Sequence, residues 1–387
     1  MKYTEFKGLQ IPRLGFGTMR LPMDAQGEID YPAAKAMVDH ALANGMNYLD
    51  TAYKYHNGFS ETFLGKALAD HDRSTYMLAD KLPTWLCETE ADVTRIFEEQ
   101  LEKCATTYFD FYLLHCIDEE SWPNIPALNM FEILKKEKEA GRIKHLGASF
   151  HCAPELLRHV LSEFGEYLEF VQLQLNYFDW EYDNAAAIHE IAVEFGKPII
   201  IMEPVRGGML AQPMSEEACT ILDQAATDAA KRPDGSTNYV SFALRYANEL
   251  PGILTTLSGM SSMEQMLENM EIFDGPEMTA EEAAAVEKAA KAIRADILIP
   301  CTACNYCYEC PAGIKIPEIF KLYNGAAVKG FHNIWGSLSG AYYKMEPTAS
   351  ACIGCGSCES HCPQKIKIID ELKKVDAKYA HLKEIGE

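Results

Sequence analysis

Short apolar runs alternate with longer amphipathic stretches throughout the first 275 residues of the chain. The apolar runs predict eight β-strands, at residues 13–19, 47–52, 76–82, 109–115, 143–149, 170–176, 198–204 and 253–259. Most of them are almost continuously apolar, which is typical of strands buried on both faces of a parallel sheet. The amphipathic stretches predict helices at residues 31–44, 88–108, 124–140, 154–164 and 183–195, and Gly45, Gly141 and Gly196 mark the ends of three of them.

Eight strands separated by helices within about 250 residues are typical of a (β/α)8 barrel. The competing fold is a doubly wound open sheet, in which the motif G-x-G-x-x-G usually follows the first strand. Here the first strand continues as Gly15-Phe16-Gly17-Thr18-Met19-Arg20, without the third glycine. The sequence therefore predicts an α/β protein with a (β/α)8, or TIM, barrel over residues 1–276. Residues 3–11 are expected to form a hairpin that closes the bottom of the barrel.

The composition indicates a folded protein with a strong negative charge. The 387 residues are 48% apolar and carry a formal net charge of −22. A surface of this charge repels phosphate backbones, which argues against nucleic acid as a partner. No apolar run reaches the roughly 20 residues that a membrane-spanning helix needs, and the N-terminal residues lack the apolar core of a secretory signal. We therefore expect a soluble, cytoplasmic protein without a membrane partner.

The cysteines are concentrated toward the C-terminal end of the chain. Of the 13 cysteines, eight lie within residues 301–387, after an alanine-rich helix predicted at residues 279–297. A secreted disulfide framework would spread its cysteines along the chain and follow a signal peptide. Closely spaced thiols in a cytosolic protein indicate metal ligation instead. The sequence thus predicts a barrel, a helical linker over residues 277–300 and a small cysteine-rich module over residues 301–387.

Two cysteine motifs in this module indicate a particular metal chemistry. Residues 352–363 read C-x2-C-x2-C-x3-C-P, the spacing of bacterial ferredoxins that hold [4Fe–4S] clusters. Residues 301–311 read C-x2-C-x2-C-x2-C-P, which is one residue shorter in the last gap. Zinc is the alternative, but zinc sites usually take two separated cysteine pairs rather than two complete quartets closed by Cys-Pro. The module is therefore predicted to be a ferredoxin-like α+β iron–sulfur domain with two [4Fe–4S] clusters.

The fourth cysteine of a ferredoxin motif usually ligates the other cluster, which predicts an exchange between the two motifs. One cluster would be held by a first quartet, which consists of Cys301, Cys304, Cys307 and Cys362. The other would be held by a second quartet, which consists of Cys310, Cys352, Cys355 and Cys358. The shortened gap before Cys310 leaves the partition and the second cluster open.

Four polar residues interrupt or follow the second to fourth predicted strands, namely Asp50, Tyr55, Lys81 and His115. Active sites of (β/α)8 enzymes lie at the C-terminal ends of the strands, so we expect these side chains to meet there. A buried ammonium paired with Asp50 would lower the pKa of the Tyr55 phenol and make it a usable general acid. His115 would hydrogen-bond a substrate carbonyl. Together the four residues predict a catalytic site rather than separate structural contacts.

These residues lie in the segments Asp50-Thr51-Ala52-Tyr53-Lys54-Tyr55, LADKLP around Lys81 and YLLHC around His115. In order and spacing, the segments resemble the aldo-keto reductase signature, and the likeness covers roughly residues 10–270. The resemblance implies that NADP or NAD binds in an extended conformation across the barrel mouth. It also implies hydride transfer to a carbonyl carbon while Tyr55 protonates the oxygen. Lys81 and Asp50 would tune that tyrosine, and His115 would orient the substrate.

The same resemblance implies the cofactor contacts. The candidate cofactor-binding residues are Gly17, Thr18, Met19, Asp50, Ser149, Gln174, Met202, Glu203, Arg206, Gln265, Glu268 and Asn269. Ser149 and Gln174 match the pair that binds the nicotinamide carboxamide, whereas Met202 replaces the aromatic residue that often stacks on the ring. Gln265 stands where many members place an arginine for the 2′-phosphate of NADP. Arg206 is the residue that would compensate, so the choice between NADP and NAD stays open.

The whole chain resembles a subgroup of aldo-keto reductases fused to a C-terminal 4Fe–4S module. The first hypothesis is an NAD(P)-dependent oxidoreductase of the alcohol dehydrogenase type, which acts on a small-molecule carbonyl or alcohol and whose clusters exchange electrons with a partner. In the second, the clusters only stabilise the small module, because metal ligation contributes folding energy. The alternative from a different class is an electron-transfer iron–sulfur protein on a non-catalytic barrel. Trp85, Trp122 and Tyr177 are candidates for the walls of a substrate pocket.

Overall fold

The structure, a computed structural model, describes residues 1–182, 184–212, 215–307, 309–329 and 338–385. Its strands are β1 (Tyr3–Phe6), β2 (Leu9–Pro12), β3 (Leu14–Gly17), β4 (Tyr48–Asp50), β5 (Met77–Pro83), β6 (Phe109–Ile117), β7 (Ile143–Phe150), β8 (Phe170–Gln174), β9 (Ile199–Met202) and β10 (Ile253–Gly259). The strands from β3 to β10 form a closed barrel in which all neighbouring pairs are parallel. Each of the eight predicted strands corresponds to one of them, which confirms the (β/α)8 barrel.

The α-helices lie between and after these strands. They span Tyr31–Ala43, Ser60–Ala67, Glu90–Lys103, Asn124–Ala127, Met130–Glu139, Pro154–Phe164, Asp179–Tyr182, Ala185–Glu194, Glu216–Ala225, Tyr239–Asn248, Met263–Asp274, Ala280–Asp296, Ile316–Lys329, Leu338–Tyr343, Ser357–Ser360 and Ile368–Ile385. Within the described part of the chain, not one helix combines the length and apolar character needed to cross a bilayer.

Two predicted helices differ from the observed ones for local reasons. The helix predicted at residues 124–140 is divided in two because Asn129 takes a left-handed backbone conformation, with φ of 48°, which asparagine tolerates better than most residues. The helix predicted at residues 88–108 begins later, at Glu90, because Thr89 caps it. The Thr89 side chain accepts the backbone N–H of Asp92, and the Asp92 carboxylate accepts the backbone N–H of Thr89. This reciprocal capping fixes the first turn.

The predicted N-terminal hairpin is present and closes one end of the barrel. Strands β1 and β2 pair antiparallel, from Tyr3 opposite Pro12 to Phe6 opposite Leu9. Phe6 and Ile11 are buried in the same core cluster as barrel residues of β4 to β6 and of β8 to β10. The hairpin therefore seals the end of the barrel opposite to the strand ends that carry Asp50 and His115.

The chain divides into two compact units. The first contains Met1–Pro204 and Val240–Thr279, and the second contains Val205–Tyr239 and Ala280–Glu387. The second unit has its own apolar core, in which the rings of Tyr342 and Tyr379 stack at 3.9 Å between centroids. In the described part of residues 301–385, the regular elements are helices. The predicted boundaries at residues 276 and 300 remain predictions.

Candidate functional site

The four candidate catalytic side chains meet at the carboxyl ends of β4, β5 and β6. Asp50 is the last residue of β4, Lys81 lies in β5 and His115 lies in β6, while Tyr55 opens a short 3-10 turn, Tyr55–Gly58, after β4. All four are buried. The structure thus brings together, on three successive strands, the residues that the sequence predicts for catalysis.

Lys81 is the centre of this group. Its ammonium lies 2.7 Å from a carboxylate oxygen of Asp50, donates to the carbonyl of Thr51 at 2.7 Å, and lies 3.4 Å from the hydroxyl of Tyr55. The lysine is completely buried, so the charge would be costly without these partners. The ion pair with Asp50 therefore fixes the ammonium beside the phenol.

The expectation that Lys81 lowers the pKa of Tyr55 is wrong. Burial raises the pKa of the Tyr55 phenol well above its ordinary value, and the carboxylates of Asp50 and Glu203 raise it further. Burial dominates because an ionised phenolate would lose its hydration, and the positive charge of Lys81 is already paired with Asp50. Tyr55 therefore keeps its proton throughout the neutral pH range and is available as a proton donor.

His115 is neutral at neutral pH. Burial lowers its pKa well below the ordinary value, and the positive charge of Lys81 lowers it further. Its ring lies edge-on to Tyr55, with centroids 6.3 Å apart, and 5.1 Å from the ring of Trp85. A neutral imidazole at this position can direct a hydrogen bond to a substrate oxygen. Of the three predicted pocket-wall residues, Trp85 borders this group, whereas Trp122 packs against Phe131, His159 and Phe164, and Tyr177 packs against Tyr246.

A strained turn follows Tyr55 and was not predicted from the sequence. His56 and Asn57 both take left-handed backbone conformations, with φ of 50° and 56°, and such strain often accompanies functional sites. The imidazole of His56 accepts the backbone N–H of Leu21 at 3.1 Å, and burial lowers its pKa. The turn that carries Tyr55 is thereby tied to the segment after β3.

The candidate cofactor residues of β3, β7 and β8 lie at or just beyond the ends of these strands. Gly17 ends β3, and the Thr18 hydroxyl donates to the carbonyl of Asp50 at 2.8 Å. The Ser149 hydroxyl accepts the backbone N–H of Cys116 at 2.8 Å, which leaves its own proton available to a carboxamide oxygen. The Gln174 amide donates to Asp179 at 2.7 Å.

The remaining candidate cofactor residues lie after β3, β9 and β10. The Arg20 guanidinium, next to Met19, donates twice to one carboxylate oxygen of Glu203, at 3.1 and 3.2 Å. Met202 ends β9. Gln265, Glu268 and Asn269 lie on the helix Met263–Asp274; Gln265 accepts the N–H of Ser261, and Asn269 donates to Ser258. Arg206 belongs to the second unit, where its guanidinium donates to the carbonyl of Pro300 at 3.1 Å.

A pair of buried carboxyls next to Lys81, those of Asp80 and Glu61, was also not predicted from the sequence. Asp80 and Glu61 are both completely buried and are hydrogen-bonded to each other. Asp80 accepts the backbone N–H of Lys81 at 2.8 Å, while Glu61 accepts from Gln100 at 2.9 Å and faces Lys103 at 3.0 Å. Burial and the nearby Glu61 raise the pKa of Asp80 well above its ordinary value. The signal in the sequence was an acidic residue inside the apolar run at 76–82.

The structure brings seven of the eight C-terminal cysteines close to partners that the exchange between motifs predicts. All four members of the first quartet line one small cavity, together with the apolar side chains of Ile316, Pro317, Phe320, Ile366 and Ile368. In the second quartet, the thiol of Cys358 interacts electrostatically with Cys310 and Cys352. Burial is the main cause that raises the pKa of this thiol to about 11. Cys355 of the second quartet is exposed to solvent.

The residues present fit iron–sulfur clusters. Soft thiolates are the preferred ligands of such clusters, and the apolar lining beside the first quartet would exclude water from the group it holds. Over the described residues, no three His, Cys, Asp or Glu side chains are placed to hold a single metal ion. The first quartet instead surrounds a cavity.

The barrel carries its buried group of Asp50, Tyr55, Lys81 and His115 at the carboxyl ends of its strands, where enzymes of the (β/α)8 class have their active sites. The model of the aldo/keto reductase family matches residues 13–291, and the chain belongs to that family. A 4Fe-4S dicluster domain matches residues 300–367. The chain therefore joins an aldo/keto reductase barrel to an iron–sulfur domain.

Relatives of known sequence and structure match most of the barrel. The uncharacterized oxidoreductase YqkF of Bacillus subtilis is 26% identical over 308 residues, which cover 73% of this chain and 94% of YqkF. The protein tas of Escherichia coli is 23% identical over 317 residues, which cover 68% of this chain and 90% of tas. The aldo-keto reductase AKR11C1 from Bacillus halodurans superposes with a TM-score of 0.58 at 25% identity, over 74% of this chain and 94% of that one. An aldo/keto reductase from Klebsiella pneumoniae in complex with NADP and acetate has a TM-score of 0.61 at 22% identity, with the same coverage, and supports the fold alone.

Proposed function

We propose that this chain is an NAD(P)-dependent oxidoreductase that interconverts a small-molecule carbonyl compound and its alcohol by hydride transfer. The contact that carries the proposal is the buried Lys81 ammonium, held by Asp50 within 3.4 Å of the Tyr55 hydroxyl. This places a protonated phenol beside a fixed positive charge, which suits proton donation to an oxygen that becomes negative during reduction.

The residues of the chain have separate tasks in this reaction. A bound nicotinamide supplies the hydride. Tyr55 gives its proton to the substrate oxygen during reduction and takes it back during alcohol oxidation. Lys81 stabilises the negative charge on the phenolate oxygen that remains, and Asp50 holds Lys81 in place. Neutral His115 orients the carbonyl oxygen by a hydrogen bond.

The proposed cofactor site follows the ends of β3, β7, β8, β9 and β10. Ser149 and Gln174 are positioned at strand ends to bind a carboxamide, and Met202 at the end of β9 offers a flexible apolar side chain to a ring. Either NADP or NAD is proposed, because Gln265 supplies no positive charge for a 2′-phosphate. The two cysteine quartets are proposed to hold one [4Fe–4S] cluster each. The solvent exposure of Cys355 supports a surface position for the second cluster, where we propose that a partner protein exchanges electrons with it.

The test is the Tyr55→Phe variant of the full chain, prepared without oxygen and assayed with a test aldehyde and either NADPH or NADH. Loss of the phenolic proton is expected to lower carbonyl turnover about 10²- to 10⁴-fold, while cofactor binding, followed by fluorescence, is retained. Tyr53→Phe is the matched control, since the Tyr53 hydroxyl donates to Glu99 rather than entering the group. A Tyr55→Phe enzyme that turns over normally would refute the role of Tyr55 and favour an electron-transfer protein on a non-catalytic barrel.

A further inference from the structure

Arg206 is the largest completely buried side chain in the described part of the chain. It begins the 3-10 segment Arg206–Ala211, and its own backbone is left-handed, with φ of 49°. Its guanidinium donates to the carbonyl of Pro300 at 3.1 Å and lies 3.8 Å from the sulfur of Met209. A buried guanidinium is expensive to desolvate, so the contacts that it makes at this position have to offset that cost.

The carbonyl that Arg206 binds belongs to the residue immediately before Cys301. Ile299, one residue earlier, is held from another side by the buried Asn324, whose amide accepts the Ile299 N–H at 2.9 Å and donates to the Ile299 carbonyl at 2.6 Å. The Cys301 sulfur in turn accepts the N–H of Ala303 at 3.4 Å. Two buried side chains, one charged and one neutral, therefore fix the backbone that leads into the first quartet.

We propose that Arg206 positions Cys301 and that its positive charge favours the reduced form of the cluster in the first quartet. This inference rests on the proposed function, in that it requires the first quartet to hold a [4Fe–4S] cluster. A cluster bound by four thiolates is an anion, and reduction adds one negative charge. Nearby positive charge then stabilises the reduced form more than the oxidised one, and burial limits screening by solvent ions. Arg206 would thus raise the reduction potential of this cluster.

The experiment is a redox titration of the full chain with dithionite, followed by electron paramagnetic resonance, for wild type, Arg206→Met and Arg206→Lys. Arg206→Met is expected to shift the midpoint of one cluster signal to a more negative value. Arg206→Lys keeps the positive charge but loses the planar guanidinium with its several donors, so a smaller shift of the midpoint potential is expected. The signal of the second quartet serves as an internal control and should not move.

A purely positional role makes a different prediction. Both Arg206 variants would then lose iron, as would Asn324→Leu, and the remaining cluster would keep its wild-type midpoint. That result, or equal shifts in Arg206→Met and Arg206→Lys, would overturn the role of the charge. Iron and sulfide analysis of the wild type separates this from the proposed function. A wild-type chain that lacks clusters refutes the cluster assignment, whereas a clustered wild type with an unmoved Arg206→Met midpoint refutes only the role of Arg206.

Discussion

The carboxyl of Asp80 lies directly behind the proposed catalytic lysine and next to the carboxyl of Glu61. Glu61 is held by Lys103 and Gln100, so it is the better site for the negative charge of the pair. Asp80 is then the member that retains a proton, in agreement with the rise of its pKa through burial and the charge of Glu61. Two carboxyls in such contact cannot both ionise without strong repulsion.

Asp80→Asn is expected to stabilise the protein, and more so at higher pH. Above the unfolded-state pKa of about 3.9, the native Asp80 keeps a proton that the unfolded chain has lost, so the free energy of unfolding falls by about 1.4 kcal/mol per pH unit until the native pKa is reached. Asparagine does not titrate and so removes this loss of stability. Its side-chain amide can still accept a hydrogen bond from the backbone N–H of Lys81 and donate one to the Glu61 carboxylate. Thermal unfolding followed at about pH 5.5 and 8 should show a Tm advantage of the variant that is larger at the higher pH.

Glu61→Gln provides the matched comparison for this pair. It removes the charge that faces Lys103 at 3.0 Å, so it is expected to lower the Tm rather than raise it. If Asp80→Asn gave the same Tm difference at both pH values, Asp80 would not be the protonated member.

The candidate catalytic residues could be predicted from the sequence, but their protonation could not. Asp50, Lys81 and His115 are polar residues at fixed positions in apolar runs, and strand geometry brings such positions to one end of the barrel. Asp80 shows the same signal and was overlooked, because alternation along β5 sends it to the face opposite Lys81. The direction of the Tyr55 pKa depends on burial, which only the folded chain reveals.

At the scale of elements, the positions of the strands could be predicted more accurately than the ends of the helices. Buried parallel strands require apolar runs whatever surrounds them, so all eight barrel strands were placed correctly. Helix ends depend on single residues such as Thr89 and Asn129. The hairpin of β1 and β2 was also predicted, and its contribution to stability can be measured.

Phe6→Ala is expected to destabilise the barrel without damaging the site. Phe6 is buried on the hairpin and packs against the rings of Phe111 and His145, with centroids 6.0 and 5.0 Å away. Truncating a buried phenylalanine typically costs about 3–5 kcal/mol. Chemical denaturation followed by circular dichroism should show this loss, while carbonyl turnover at low temperature stays close to wild type. Glu5→Ala, at the exposed neighbouring position, is the control, and an equal loss in both variants would contradict the closing role of Phe6.

At the scale of the whole molecule, chain order and spatial grouping differ. The domain predicted over residues 1–276 stays a prediction, and in the structure Val205–Tyr239 groups with Ala280–Glu387 in the second unit. Composition gave no sign of this, because residues 205–239 carry no cysteine motif and their association depends on long-range contacts. The contact of Arg206 with Pro300 is one such case, since the two residues are far apart in the sequence.

The two proposed redox systems of the chain differ in the number of electrons they move. A nicotinamide exchanges two electrons as hydride, whereas a [4Fe–4S] cluster ordinarily exchanges one at a time, and a flavin is the usual intermediary. The sequence contains no motif that demands a flavin. We therefore expect that reduced clusters in the purified chain do not reduce NAD+ or NADP+ directly, and that carbonyl turnover proceeds whether the clusters are reduced or oxidised.

The measurement reduces the clusters chemically without oxygen, removes the reductant, adds NAD+ or NADP+, and follows the absorbance of cluster and nicotinamide together. Neither absorbance should change in a preparation that still reduces a test aldehyde. Recovery of the cluster absorbance together with the appearance of reduced nicotinamide would contradict the expectation. It would mean that the clusters and the barrel form one electron pathway through a tightly bound intermediary, because a direct step would have to pass through a high-energy nicotinamide radical.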